Sequence, residues 1–330
     1  MTREQKKIEG PARLRTKSLR KGSGQREMLL TEVMEMYRDT IRRHGTETSA
    51  KNVGAPLHAL LAYRGKRVRM SEVNKDFIED WIEYLRFSYT TRKGRHLSPN
   101  TVITYCNIVS AALNMAVRKE IIAENPFRRI AATEKVKATE SLRAYLTLDE
   151  LQKMMAAKSP RDDVKRAYLF SCFCGMRISD IRRLRWKDIG TDGAQWRATI
   201  MMQKTAAALY LPLNKNAVAC LPKKDIGNTV SQPIATSRND LVFGTLPTLP
   251  TVERILKRWT KAAGIDKHIT FHTARHTFAT LMLTLGVDLY TTSQLLGHTK
   301  ISTTQIYAKV VNKKKDEAVG LIDRAFALNL

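Results

Sequence analysis

Apolar side chains recur at three- and four-residue steps through residues 27–125, the spacing of helices that bury one face. Four helices are predicted there. The first runs from Leu30 to His44, with Val33, Met34, Tyr37 and Ile41 inward and Gly45 as its stop. The second runs from about Ser49 to Tyr63 on Leu57, Leu60 and Leu61. The third follows Asn74 as N-cap and carries Phe77, Ile78, Trp81, Ile82 and Leu85. The fourth has Ser98 as N-cap and Pro99 at its first position, then Val102, Cys106, Val109, Leu113 and Val117. Asn125 before Pro126 closes the set, because a residue preceding proline is pushed out of the helical region.

Residues 128–143 are polar and read as an exposed linker. Thr147 and Glu150 then make a capping box that opens a second patterned region. A long apolar helical pattern covers 165–185 and is interrupted at Gly175. Two β-favouring runs, Gln195 to Gln203 and Ala208 to Leu213, read as a hairpin with Lys204 near its tip. Residues 221–250 read mostly as loop. Helices resume over 251–263, 272–285 and 289–296. Lys313 to Leu330 is basic and then amphipathic. The expected fold class is mainly α with a small β-sheet. The expected organisation is an arm at 1–26, a helical domain at 27–130, a linker at 131–141 and a domain at 142–330 with a tail at 311–330.

Charge narrows the function. The 330 residues hold 57 Lys and Arg against 31 Asp and Glu, a formal net charge of +26, which points first to nucleic acid. Hydrophobic residues make up 43% of the chain, which argues against a disordered polycation. No run of eighteen apolar residues excludes itself from water as a membrane span would, and the N-terminus lacks the apolar core of a secretory signal. Four scattered cysteines fit a reducing cytoplasm better than a disulfide framework. Residues 1–26 carry nine Lys or Arg against two Asp or Glu and no clear apolar period. They read either as an arm lying along a phosphate backbone or as a solvated tail.

Three local patterns in the second region bear on chemistry. Arg177 follows Gly175 and a run of buried character, and Asp180 lies three residues on. A charge beside apolar surface needs a partner or an anion, so Arg177 either pairs with Asp180 or binds a ligand. His272, Arg275 and His276 share one helical face. Two histidines four apart invite zinc, yet Thr273 stands where a zinc hydrolase of the His-Glu-x-x-His type has its Glu, and His276 suits a core position equally well. Gly297 and His298 precede Tyr307, a residue that alone is an ordinary amphipathic tyrosine.

Taken together and in order, Arg177, Lys204, His272, Arg275, His298 and Tyr307 make the sequence resemble the tyrosine site-specific recombinases of the phage integrase family. Within it the chain is most similar to integrases of conjugative or transposable elements. The resemblance spans about residues 27–330. It implies a helical SAM-like core-binding domain plus an α+β catalytic domain, arranged as a clamp around duplex DNA. It also implies that Tyr307 attacks a DNA phosphodiester, forms a 3′-phosphotyrosine and passes the strand on without metal, ATP or other cofactor. Arg177 and Arg275 would clamp the phosphate. Lys204 would protonate the leaving oxygen with a lowered pKa. His272 would accept or relay a proton, and His298 would hydrogen-bond the phosphate. Asp180 would orient the Arg177 segment, and the cationic surroundings would lower the pKa of Tyr307.

Double-stranded DNA with specific core sites, a homotetramer on that DNA, and DNA-bending or directionality factors are the implied partners, in a bacterial cytoplasm at the nucleoid. Two other readings explain part of the pattern. A catalytically silent DNA-binding protein would account for the charge, and a metal-dependent nuclease would use the histidines. Only about 26 residues precede the first helix, too few for a separate arm-site domain with its own core.

Overall fold

The computed structural model describes residues 27–139, 143–202, 207–222 and 240–308. The chain divides into two compact units, residues 1–141 and 142–330. The arm at 1–26, the tail at 311–330 and Lys204 therefore lie outside the described residues.

The first unit is all helical: α1 (Leu30–His44), α2 (Glu47–Asn52), α3 (Gly54–Arg64), α4 (Lys75–Phe87) and α5 (Pro99–Arg118). Their starts are chemically marked. Asn74 accepts from the Phe77 N–H at 2.9 Å, and Ser98 accepts from the Thr101 N–H at 3.3 Å. Glu32 reaches back to the Leu29 N–H at 2.8 Å. The faces named by the apolar period meet in one cluster around the fully buried Trp81, Ile78, Leu85, Met34 and Leu113.

The helix expected over 49–63 is broken in two. Pro56 has no N–H to offer, and its ring would strike the carbonyl of Asn52 in a continuous helix. The chain turns at Val53 instead, and Pro56 becomes part of the first turn of α3, where its missing donor costs little. The segment read as a linker is held to this unit. Val136 packs on the cluster, Ala131 N–H donates to Glu134, and the side chain of Asn100 exchanges two hydrogen bonds with the Thr139 backbone.

The second unit holds α6 (Leu148–Ala156), α7 (Asp162–Cys174), α8 (Ile178–Ile181), then β1 (Ile189–Asp192), β2 (Gln195–Met201) and β3 (Ala208–Pro212). There follow α9 (Lys215–Ala219), α10 (Leu249–Ala262), α11 (Phe271–Thr284), α12 (Leu289–Leu296) and α13 (Ser302–Ala308). The capping box of α6 forms in full, with Glu150 on the Thr147 N–H at 2.8 Å and Thr147 on the Glu150 N–H at 3.2 Å. Helices α7 and α11 run through the core. Tyr168 on α7 meets Trp259 and Phe271 edge-on, with ring centroids 5.7 and 5.6 Å apart. The Leu146 N–H donates to the buried Thr277 hydroxyl at 2.9 Å, which ties the entry of the unit to α11.

The sheet is antiparallel in the order β1-β2-β3. The expected hairpin is β2 with β3, paired from Arg197 with Pro212 at its open end to Met201 with Ala208 next to the connection. Strand β1 was not expected. It has one apolar residue and pairs Asp192 with Gln195 across a two-residue turn in which Gly193 has φ +59°. The long helical pattern of 165–185 also ends early. Gly175 closes α7 in the left-handed region at φ +74°, and only one turn, α8, follows.

Candidate active site

The end of α7 explains where Arg177 sits. A Cβ on Gly175 would lie 2.6 Å from the Phe278 ring and 3.0 Å from Leu296, so glycine is needed both for φ and for space. The chain then leaves the helix, and Arg177 caps the N-terminus of α8 half-buried, its Nη1 3.6 Å from the sulfur of Met202 at the end of β2. Gly297 plays a similar part after α12. It has φ +61°, with the Met202 sulfur 2.5 Å from where its Cβ would be. His298 follows, half-buried, its Nδ1 2.7 Å from the Thr304 hydroxyl at α13.

Arg275 on α11 is 2% exposed. Its fork donates to the Gly175 carbonyl at 2.8 Å and to the Leu296 carbonyl at 2.5 Å. These are the carbonyl ends of α7 and α12, where acceptors lack intrahelical donors and the helix dipole is negative. One buried guanidinium thus stitches two helix ends to a third helix. Burial first, and the charge of Arg177 next, push its pKa down to about 9, still well above neutral. It remains a cation at pH 7.

Tyr307 on α13 is 4% exposed and packs with Phe278, Ala279, Leu283 and Leu296. Its hydroxyl is 2.5 Å from Nδ1 of His276. Burial pushes its pKa up, while Arg275, Arg143 and Arg177 pull it down. The sequence reading expected the cations to prevail; in this structure burial outweighs them. His276 is pushed down to about 3, by burial first and then by His272, Arg143, Arg275 and His298. It is therefore uncharged at neutral pH.

The second unit thus brings Arg177, Arg275 and Tyr307 within reach of one another's charge, with His298 acting on His276 beside them, all on one chain. His272 stands edge-on to His276, ring centroids 4.5 Å apart. Asp180 is buried, its N–H donates to the Arg177 carbonyl at 3.0 Å, and its charge acts on Arg275. Lys204, with the rest of the β2–β3 turn, lies outside the described residues. Two contributors went unrecognised in the sequence. His276 suits a core position by sequence alone; its place directly after Arg275 and four after His272 is the available signal. Arg143, exposed just before Leu146, carried no signal, because the burial of Leu146 and its bond to Thr277 bring that segment to α11. Among the described residues no group of three His, Cys, Asp or Glu gathers as a metal site would.

Comparison with known proteins decides the family. Residues 144–314 match the phage integrase family and residues 29–138 match the phage integrase SAM-like domain. The chain belongs to the phage integrase family. Its function is that of a tyrosine recombinase, an enzyme that cleaves and rejoins DNA strands. It is 27% identical over 296 residues to a tyrosine recombinase of Thermosipho africanus, covering 88% of this chain and 99% of that one. It is 28% identical over 266 residues to the tyrosine recombinase XerD of Listeria innocua, covering 77% and 85%. Among solved structures, the phage integrase fold is shared with the Tn1549 transposon integrase in complex with a circular intermediate DNA, at TM-score 0.62 and 18% identity, covering 83% of this chain and 94% of that one. It is shared also with a lambda integrase dimer bound to a core site, at TM-score 0.61 and 22% identity, covering 84% and 97%. Among the described residues no helix is long and apolar enough to cross a membrane.

Proposed function

We propose that Tyr307 is the nucleophile of this recombinase and that it acts in cis, on a phosphodiester held by Arg177 and Arg275 of its own chain. The observation that carries this is the environment of the Tyr307 hydroxyl, buried under the charges of Arg275, Arg143 and Arg177 and hydrogen-bonded to an uncharged His276. The attacked phosphate gains charge density in its pentacoordinate transition state. Two guanidinium groups fixed beforehand stabilise that charge without having to reorganise. Two of Arg275's five donors hold helix carbonyls and fix its plane.

His272, edge-on to His276, accepts or relays a proton at the same centre, and His298 hydrogen-bonds the phosphate. Asp180 holds the Arg177 backbone and balances Arg275. Lys204, at the hairpin turn, is assigned as the acid for the leaving 5′-oxygen.

The arm at 1–26, the helical unit up to about 130, the linker at 131–141 and the tail at 311–330 are assigned to binding core sites on double-stranded DNA and to assembly. Four protomers suit the exchange of strands between two duplexes, as in the lambda integrase tetramer bound to a Holliday junction. DNA-bending or directionality factors belong to the same proposal, as does action at the bacterial nucleoid. Basic side chains line a groove of about 860 Å³ along α10, among them Arg254, Lys257, Arg258, Lys261 and Lys267, and supply part of a phosphate grip that weakens as salt rises.

The test uses nicked duplexes from a randomised pool. Wild-type protein is incubated with the pool, denatured, and the covalently attached DNA is sequenced to define a substrate. Adduct formation on that substrate is expected to persist in excess EDTA and to vanish in Tyr307→Phe, with binding retained. Loss in EDTA would favour the metal-dependent nuclease, and binding without any adduct the silent DNA-binding protein.

A further inference from the structure

We infer that His276 is a catalytic residue, the group that takes the proton from the Tyr307 hydroxyl as it attacks and returns it when the tyrosine leaves. The inference rests on the reading of Tyr307 as nucleophile. It stands on geometry. His276 follows Arg275 on α11, so the residue that stitches α7 and α12 together also fixes the next side chain one-third of a turn away. Nδ1 of His276 lies 2.5 Å from the reacting oxygen, with the rings 5.4 Å apart and tilted by 48°. That is hydrogen-bond reach for direct proton transfer, without an intervening water. Both partners are buried, at 7% and 4% exposure, so bulk water does not compete for the proton.

The surroundings match the task. The groups that face His276 are His272 and Arg275 from α11, Arg143 from the segment entering the unit, His298 from the turn after α12, and Tyr307 from α13. Together with burial they keep the imidazole uncharged at neutral pH, so a lone pair is available to accept. With no DNA bound, Arg143 and Arg275 make a positive charge on His276 costly, and the proton stays on Tyr307. A phosphodiester entering between Arg177 and Arg275 brings a negative charge that offsets them and raises the basicity of the imidazole. Proton transfer is thereby coupled to substrate.

The step balances. The Tyr307 Oη–P bond forms, the P–O5′ bond breaks, and the Oη proton passes to Nδ1. The departing 5′-oxygen takes its proton from a separate acid. In the second step an incoming 5′-hydroxyl gives its proton back to that now deprotonated acid, the O5′–P bond forms, the Tyr307 Oη–P bond breaks, and the imidazolium returns its proton to Oη.

The test measures single-turnover adduct formation on the duplex captured by wild-type protein, with His276→Ala, His276→Asn and Tyr307→Phe. Mobility shift and thermal melting are run alongside. His276→Ala is expected to slow adduct formation by about 10²-fold or more while DNA affinity is kept. Added imidazole restores at least part of that rate. His276→Asn keeps a polar partner for the hydroxyl but cannot carry a proton, so it stays slow even though it fills the site and folds. Either variant cleaving within about twofold of wild type overturns the proposal. So does full activity in His276→Asn combined with no effect of imidazole on His276→Ala, which would reduce His276 to positioning. An adduct surviving in Tyr307→Phe overturns the nucleophile reading itself, a separate failure read from a separate protein.

Discussion

The two units solve the problem of burial differently. Among the described residues of the first, the buried polar side chain is Asn125, and its amide is fully occupied. It donates to the Ser110 carbonyl and hydroxyl and to Asn114, and it accepts from the Phe127 N–H. The rest of that interior is apolar side chains centred on Trp81, whose Nε1 is buried without a hydrogen-bond partner. The second unit buries Asp180, Arg275 and His276 beside its apolar cluster. A buried guanidinium is costly unless its donors are matched. Arg275 meets that cost at two helix ends, and its neighbour His276 sheds its charge altogether. A core built only for stability would use apolar residues here, so the second unit gives up stability to hold charge ready. Among its described residues the first unit buries no ionisable side chain outright.

Four substitutions sharpen or break that contrast. Trp81→Ala should cost the first unit about 3–5 kcal/mol, as large-to-small core changes do. Thermal melting should show that loss, and adduct formation by the second unit should survive wherever the protein stays folded. Arg177→Ala should do the reverse. It should leave melting within about 1 kcal/mol, because the side chain is half exposed, and lower the rate of adduct formation by about 10²–10³-fold. Arg275→Lys should fail on both counts. A single ammonium cannot span two carbonyls fixed by a planar fork, and each carbonyl left bare costs about 1–3 kcal/mol. If Arg275→Lys were as stable as wild type, the stitching role would be wrong. Gly175→Ala should cost about 1–3 kcal/mol through its φ of +74° and the contact with Phe278.

The smallest effect is on pH dependence. The pKa of His276 is about 3 in the folded chain against 6.5 for a free side chain. Between those values the unfolded chain binds a proton that the folded one refuses, so stability falls as pH drops from about 6.5 toward 3. At pH 4 this amounts to about 1–3 kcal/mol. Denaturant melts at pH 7 and pH 4 should show it in wild type and lose that share in His276→Asn.

Much of the fold was legible because its signals are local. Asn74, Ser98 and the Thr147–Glu150 box mark helix starts that form as read, and the apolar period named the large helical members of the first core while missing Val68, Met70 and Val73 between the helices. Strand β1 escaped because Ile189 is its one apolar residue, although the pair Asp192-Gly193 is a hairpin signal. The break at Val53 follows from Pro56 and was missed because the leucine spacing runs on past it. The site was legible only as an ordered set of residue types. That Tyr307 meets His276 rests on α13 docking onto α11 across 31 positions, and no local pattern encodes such a pairing. The rise in the pKa of Tyr307 was missed for the same reason, since burial depends on that docking while cations can be counted in advance.

The most direct measurement is the chemical identity of the protein–DNA linkage. The adduct formed on a captured duplex is trimmed with nuclease, digested with protease and sequenced by mass spectrometry. The account predicts a nucleotide joined through phosphate to Tyr307, formed in EDTA as in its absence. A nucleotide on any other side chain, or no covalent linkage on a duplex that the protein cleaves, would contradict it.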